Sequence, residues 1–323
     1  MVKLSAIRDG NAALRDEKLR DVVAVFVGAT SGIGLSTLEK TVTLFPNPTI
    51  HVLGRSETKF ASQRSKVGSV SPEANVIFHQ CDVTLLADVD KICEAIANAE
   101  TKIDYLFMSP GLIPINGPQY TKEGLEICFV LSYYARIRLI QNLLPLLQRS
   151  PDPRVLSVLN AGHEQPLVED DMGLGKGWTT MTVINQATTM MSLALQHLAQ
   201  AHQDITFLHS YPGLVQTDIF FRLQDQPTGN ILWKLVVLLI STGVTALMWL
   251  RGLSAEESGE WQSWNLTSKS FEKGRLHQIN EHGDEYAGCG SKAFQDYKSD
   301  GWPEKVWEHT ERTIDKATTM GHV

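Results

Sequence analysis

The chain has 323 residues, 43% hydrophobic and 20% charged, which suffices for one large α/β domain or two small ones with a sizeable core. Its net charge of −7 and pI near 5.8, with no lysine- or arginine-rich run, argue against nucleic acid or an anionic membrane as the main partner. Residues 1–20 lack the apolar stretch of a signal peptide. The four cysteines (Cys81, Cys93, Cys128, Cys289) are scattered, so reduced thiols and a cytoplasmic protein are expected.

Beyond that N-terminal extension, Val22–Val27 reads as a buried strand running into Gly28-Ala29-Thr30-Ser31-Gly32-Ile33-Gly34 and a helical pattern over Ile33–Phe45. Glycines let the backbone turn tightly and approach a pyrophosphate, and a helix N-terminus offers N–H groups and a positive dipole end. Gly28, Thr30, Ser31, Gly32, Ile33 and Gly34 are therefore expected to bind a dinucleotide. The next strand, Ile50–Leu53, is followed by Arg55, with no acid before Glu57. A carboxylate there would accept from a ribose 2′-OH, whereas a guanidinium meets a 2′-phosphate, so NADP(H) is the expected cofactor. A solvated strand-end arginine is the alternative.

Further strands are expected at Val76–Cys81, Tyr105–Met108, Arg154–Leu159 and Ile205–Ser210. Between them lie helices near Lys59–Val67, Asp88–Asn98, Lys122–Gln148 and Ile184–His202. Near-continuous apolar strands alternating with helices indicate a doubly wound parallel sheet of Rossmann type. After Pro212 the pattern changes. Ile231–Leu250 carries one charge, Lys234, and is interrupted by Ser241-Thr242-Gly243. It reads as part of a buried helical lid at about 220–251, with a membrane-surface element or a span as alternatives. Trp233 and Trp249 suit such a lid. Residues from about 268 to 323 read as a mostly polar tail, so one domain over 21–323 is expected. No H-E-x-x-H or Cys/His cluster suggests a metal.

The spacing Gly-x-x-x-Gly-x-Gly resembles the short-chain dehydrogenase/reductase superfamily, and other strings follow in the right order. Cys81-Asp82-Val83 is similar to its adenine-contacting turn, and Ser109-Pro110-Gly111 sits where the family has Asn-Asn-Ala-Gly. Tyr211-Pro212-Gly213 with Thr217 resembles the segment that cradles nicotinamide and pyrophosphate. The resemblance covers about Val22 to Thr217. It implies cofactor contacts from Asp82, Val83, Ser109, Gly111, Pro212, Gly213 and Thr217.

That family runs its chemistry through an Asn, Ser, Tyr and Lys relay. Local pattern places Ser132, Asn160, Ile184 and Thr188 at those four positions. No tyrosine lies between Tyr134 and Tyr211, and Lys176 is the only lysine from Glu123 to Trp233. A positioned general acid contributes about 10²–10⁴ in rate, and Ile184 can supply none of it. Thr188 is left to bond a ribose hydroxyl. Asn160 and Ser132 are candidates to polarise a carbonyl, and His163, Tyr133 or Tyr211 to move a proton.

Ala24 to Thr30, Ser157-Val158-Leu159 and Gly301 to Trp307 further resemble a divergent fungal group that accompanies polyketide synthases, which implies secondary metabolism. The leading expectation is non-redox chemistry (aldol-type cyclisation, dehydration or isomerisation) on a small hydrophobic carbonyl compound, with any bound NADP(H) structural. An NADPH-dependent ketoreductase using a substitute acid and a non-catalytic nucleotide-binding partner are the alternatives. A homo-oligomer and a peripheral membrane contact stay open.

Overall fold

The computed structural model describes residues 3–115, 117–217, 238, 242–243, 252–287 and 290–321. Seven parallel strands form one sheet: β1 (Val23–Val27), β2 (Thr49–Gly54), β3 (Asn75–Gln80), β4 (Tyr105–Met108), β5 (Arg154–Val158), β6 (Thr206–Ser210) and β7 (Leu276–Ile279). Their order is β3-β2-β1-β4-β5-β6-β7. Val27 pairs with Leu53 on one side and Met108 on the other, which aligns the carboxyl ends of the central strands. The order reverses between β1 and β4, so a crevice opens at their carboxyl edge, where such sheets bind ligands.

Both faces of the sheet are covered, which is why its central strands are apolar without alternation. Val25 and Val27 pack against α4 (Leu86–Ala99), α6 (Ala135–Leu147), α7 (Thr180–Ala201) and α10 (Trp302–Gly321). Ala24 and Phe26 face the opposite layer, α2 (Gly32–Thr41), α3 (Glu57–Val70) and α8 (Ala255–Thr267). Helix α8 lies tightly on α2, since a Cβ at Gly259 would sit 2.6 Å from the Ser36 carbonyl oxygen. The N-terminal extension is itself a helix, α1 (Leu4–Asp16), and Asn11 Nδ2 donates to Glu260 of α8 at 2.9 Å.

Two expectations need correction. Lys122–Gln148 is not one helix: α5 (Ile127–Phe129) passes through a π turn (Val130–Tyr134) into α6, and the Glu123 carboxylate instead caps α4 by accepting from Leu86 N at 2.7 Å and Ala87 N at 3.0 Å. The polar tail is structured, carrying β7, α9 (Lys292–Ser299) and α10. Trp302, Val306, Thr310, Ile314 and Ala317 form one buried stripe of α10 at helical spacing, hidden in the sequence by charged residues between them. The N-terminal extension likewise buries Ile7, Asn11 and Leu14.

Most of the expected lid, including Trp233 and Trp249, lies outside the described residues, as does Cys289. Its flanks are tied together, with Gln216 N donating to Leu253 O and Leu253 N to Leu214 O, both at 2.9 Å. No helix among the described residues is long and apolar enough to cross a membrane.

Candidate active site

The glycine loop is shaped by contacts that admit no side chain. Gly28 has φ +79°, and a Cβ there would lie 2.5 Å from Pro110 N. One at Gly34 would lie 2.4 Å from Gly28 O and 2.6 Å from Ser109 Oγ, which donates to Gly28 O at 3.3 Å. The loop is thus pressed onto the segment after β4 and opens into the first turn of α2. Thr217 covers Gly32, with its methyl carbon 3.2 Å from where a Cβ would stand. Gly28, Gly32, Gly34, Ser109 and Thr217 therefore lie together.

At the end of β2, Gly54 packs beneath the Thr30 methyl, and Arg55 beyond it is exposed. Asp82 forms a turn in which Oδ1 accepts from Thr84 N at 3.0 Å and Thr84 Oγ1 at 2.8 Å. Val83 is half-buried beside it, and Gly111 is exposed with open space where a Cβ would be. Ser31, Ile33 and Pro212 are half-buried, while Gly213 takes φ +72° against Glu281. A cradle that a Cβ would fill, at the N-terminus of a ten-residue helix, fits the pyrophosphate of a dinucleotide.

The other half of the crevice departs from the relay. Ser132 is buried inside the π turn, with Cys128 Sγ 3.9 Å from its hydroxyl. Asn160, half-buried after β5, donates its backbone N–H to His209 Nε2 at 3.4 Å and accepts at its carbonyl from His163 N at 3.2 Å. Ile184 is half-buried on α7. Thr188 has no exposed surface, and its hydroxyl donates to Ile184 O at 2.8 Å. Such back-bonding uses the hydroxyl proton within its own helix, so Thr188 is left without a proton to donate to a ribose.

Tyr133 is also corrected. Its ring is fully buried, and its hydroxyl meets Thr310 Oγ1 of α10 at 2.5 Å, away from the crevice. Burial raises its pKa. Tyr134 likewise bonds His309 Nε2 at 3.0 Å. The two tyrosines anchor α10.

His163 and Tyr211 do come together, and a third ring joins them. The His163 ring lies 4.6 Å from Tyr211, at 70° to it, and 6.3 Å from Tyr286 at 81°. Tyr286 stacks over Gly162, where a Cβ would strike the ring at 2.3 Å and where φ is +80°. Burial pushes the Tyr286 phenol up to about 12, with the Glu281 carboxylate adding, and the same two causes raise Tyr211. Sequence reasoning missed Tyr286 and Glu281 because they follow β7 in the segment read as tail. Leu276 and Ile279 before an Asn280–Gly283 turn were the available signal.

Beneath this cluster lies a buried polar network. Glu164 Oε1 accepts from Ser192 Oγ at 2.7 Å, Gly162 N at 3.1 Å and Gln278 Nε2 at 2.5 Å. Ser192 Oγ also meets His209 Nδ1 at 2.8 Å. Burial, reinforced by Arg136, pushes His209 down to about 3 and keeps it neutral. Arg136 is wholly buried. Its guanidinium donates to Leu131 O (3.0 Å), Ser157 Oγ (2.7 Å), Val158 O (2.8 Å) and Pro110 O (2.5 Å), and reaches Met108 O at 3.5 Å. It thereby ties the carboxyl ends of β4 and β5 to the π turn. No group among the described residues is placed to hold a metal, and burial lifts the thiols of Cys81, Cys93 and Cys128 to about 12.

Comparison with known proteins decides the family. Residues 22–228 match the short chain dehydrogenase family. This chain belongs to the short-chain dehydrogenases. It is 33% identical to "Oxidoreductase AN1596" of Emericella nidulans, over 98% of this chain and 99% of that protein. It is 34% identical to "Oxidoreductase lepF" of Aspergillus flavus, over 96% of each. The crystal structure of an NADPH-bound carbonyl reductase from chicken fatty liver shares the fold with a TM-score of 0.56 at 18% identity, covering 83% of this chain and all of that one. As a short-chain dehydrogenase, the protein has its glycine loop closed onto the segment after β4.

Proposed function

We propose that this protein is an NADP(H)-dependent oxidoreductase that reduces a polarised double bond in a small hydrophobic molecule of secondary metabolism. The observation that carries the reading is the glycine cradle, closed to any side chain at Gly28 and Gly34 and covered by Thr217. Its relatives' printed names, all oxidoreductases, support redox chemistry over the cyclisation first expected. In this reading Gly28, Gly32 and Gly34 with the first turn of α2 hold the pyrophosphate, and Arg55 meets the 2′-phosphate. Ser109 and Pro212-Gly213 line the nicotinamide end. When bound, the reduced cofactor supplies hydride.

The chain's own residues then bind and orient. Asn160 directs the polar end of the substrate, held in place by its backbone bonds to His209 and His163. The rings of His163, Tyr211 and Tyr286 wall the mouth. A second reading, non-redox cyclisation, dehydration or isomerisation, draws support from Ile184 and the sealed Thr188 hydroxyl, because neither can serve a reductase's proton relay.

One experiment separates them. Pure protein is incubated with NADPH and a panel of hydrophobic carbonyl and imine compounds, following NADPH absorbance and product mass together. Product heavier by two hydrogens, matched to NADPH consumed, is the expected outcome. Product formed without NADPH consumption would replace the reductase reading with the second one.

A further inference from the structure

The charges around the candidate active centre suit a cation better than a neutral ketone. Reducing a ketone takes a hydride and a proton, and negative charge gathers on oxygen until the proton arrives. Ile184 has no proton to give, and the Thr188 hydroxyl is bonded to its own helix. Tyr211 and Tyr286 are shifted toward weaker acidity by burial and by Glu281. Glu281 stands against the Tyr211-Pro212-Gly213 turn, its Cβ 2.9 Å from where a Gly213 side chain would begin. A carboxylate there opposes a growing alkoxide and attracts positive charge. His282 Nε2 lies 3.8 Å from that carboxylate.

The same neighbourhood gathers aromatic rings. The rings of Tyr211 and Tyr286 both flank His163, at 4.6 and 6.3 Å, and a cation over such rings is drawn by their quadrupoles. The fixed positive charge of the family's relay lysine is missing at Thr188. The Arg136 guanidinium is wrapped by the carbonyls of Met108, Pro110, Leu131 and Val158, whose negative ends face it.

We infer that the substrate of this site is an iminium compound, a C=N⁺ group flanked by apolar carbon, held by Glu281 and the rings of Tyr211 and Tyr286 and reduced to the amine. The inference rests on the reductase reading. The iminium carbon would take a hydride from a reduced nicotinamide: a C–H bond of that ring breaks, the new C–H bond forms, and the nicotinamide is left oxidised. The C=N π pair becomes the nitrogen lone pair. No proton enters or leaves, so the relay acid is not needed. The positive charge that Glu281 attracts is lost in the step, and the neutral amine is released.

Two shape-matched probes test this at a fixed neutral pH: N-methyl dihydroisoquinolinium, a permanent iminium, and tetralone, its neutral ketone counterpart. Binding is measured by calorimetry on the full chain with NADP⁺ present, and turnover by NADPH absorbance. The iminium should bind about tenfold or more tightly than the ketone and be turned over. Glu281→Gln should remove that preference while Glu281→Asp keeps part of it, with NADPH affinity, measured without the probes, kept in both. Iminium binding that is equal, weaker or absent overturns the inference. Turnover of tetralone alone would do so while leaving the reductase reading intact. Failure to bind NADP⁺ or NADPH at all would bring down the reductase reading itself.

Discussion

The two sides of the crevice have been treated differently. On the β1–α2 side, backbone forms the proposed cofactor cradle, and the close contacts of Gly28 and Gly34 with Ser109 and Pro110 leave little freedom to change. On the β5–α7 side, side chains are proposed to do the chemistry, and there Ile184 and Thr188 fall at the positions that the family resemblance assigns to the relay tyrosine and lysine. A fold can retain a ligand through main-chain shape while its reactive groups are exchanged one by one. The side-chain half is rebuilt around Arg136, Glu164 and His209, all buried, with the rings of His163, Tyr211 and Tyr286 above them.

The contrast can be broken most directly at Gly28. Gly28→Ala adds a Cβ 2.5 Å from Pro110 N at a positive φ, so NADP(H) binding should fall at least about a hundredfold in calorimetry while circular dichroism stays native. Retained binding would mean that the loop is not the cradle described. Arg136→Met tests the rebuilt half. It strips the charged donor from the buried carbonyls of Pro110, Val158 and Leu131, and urea unfolding should show a loss of about 3 kcal/mol. Arg136→Lys should recover part of that loss.

His209 sharpens the comparison through pH. It stays neutral in the folded protein, with its pKa pushed down to about 3 by burial and Arg136, whereas the ordinary value is 6.5. The unfolded chain therefore binds the extra proton between those values, and stability should fall as pH drops from about 6.5 toward 3. The slope from this one group is at most about 1.4 kcal/mol per pH unit, and His209→Asn should flatten the acid limb by that amount. The smallest effect is expected at Arg55, which is exposed. Arg55→Ala should reduce the preference for NADP(H) over NAD(H) about tenfold, and equal affinities in the wild type would remove its assigned role.

Much of the sheet was legible because its strands are apolar on both faces. Six were placed to within a residue or so, as with Tyr105–Met108. The seventh, Leu276–Ile279, escaped because two of its four residues, His277 and Gln278, are polar and buried by partners that sequence does not show. The glycine loop was readable since turn geometry demands glycine locally. Tyr286 and Glu281 were not, because their place depends on packing against Gly162 and Gly213, far away in the chain. Tyr133 misled for the same reason. Neighbouring the relay position says nothing of which way a ring points, and the π turn with α10 decides it.

The anchoring of Tyr133 by Thr310, 177 residues later, carries a consequence for biosynthesis on the ribosome. The residues of the proposed nucleotide cradle are present once β4 and Thr217 have emerged, but the π turn holding Ser132 gains its outer support only when α10 is made. Likewise Glu164 waits 114 residues for Gln278. Contacts of such sequence separation form late and slowly. Because α10 also packs against Val25 and Val27 of β1, a nascent chain can settle neither the π turn nor the strand beneath the proposed cradle until that helix is made, and loss of α10 is expected to cost folding as well as activity.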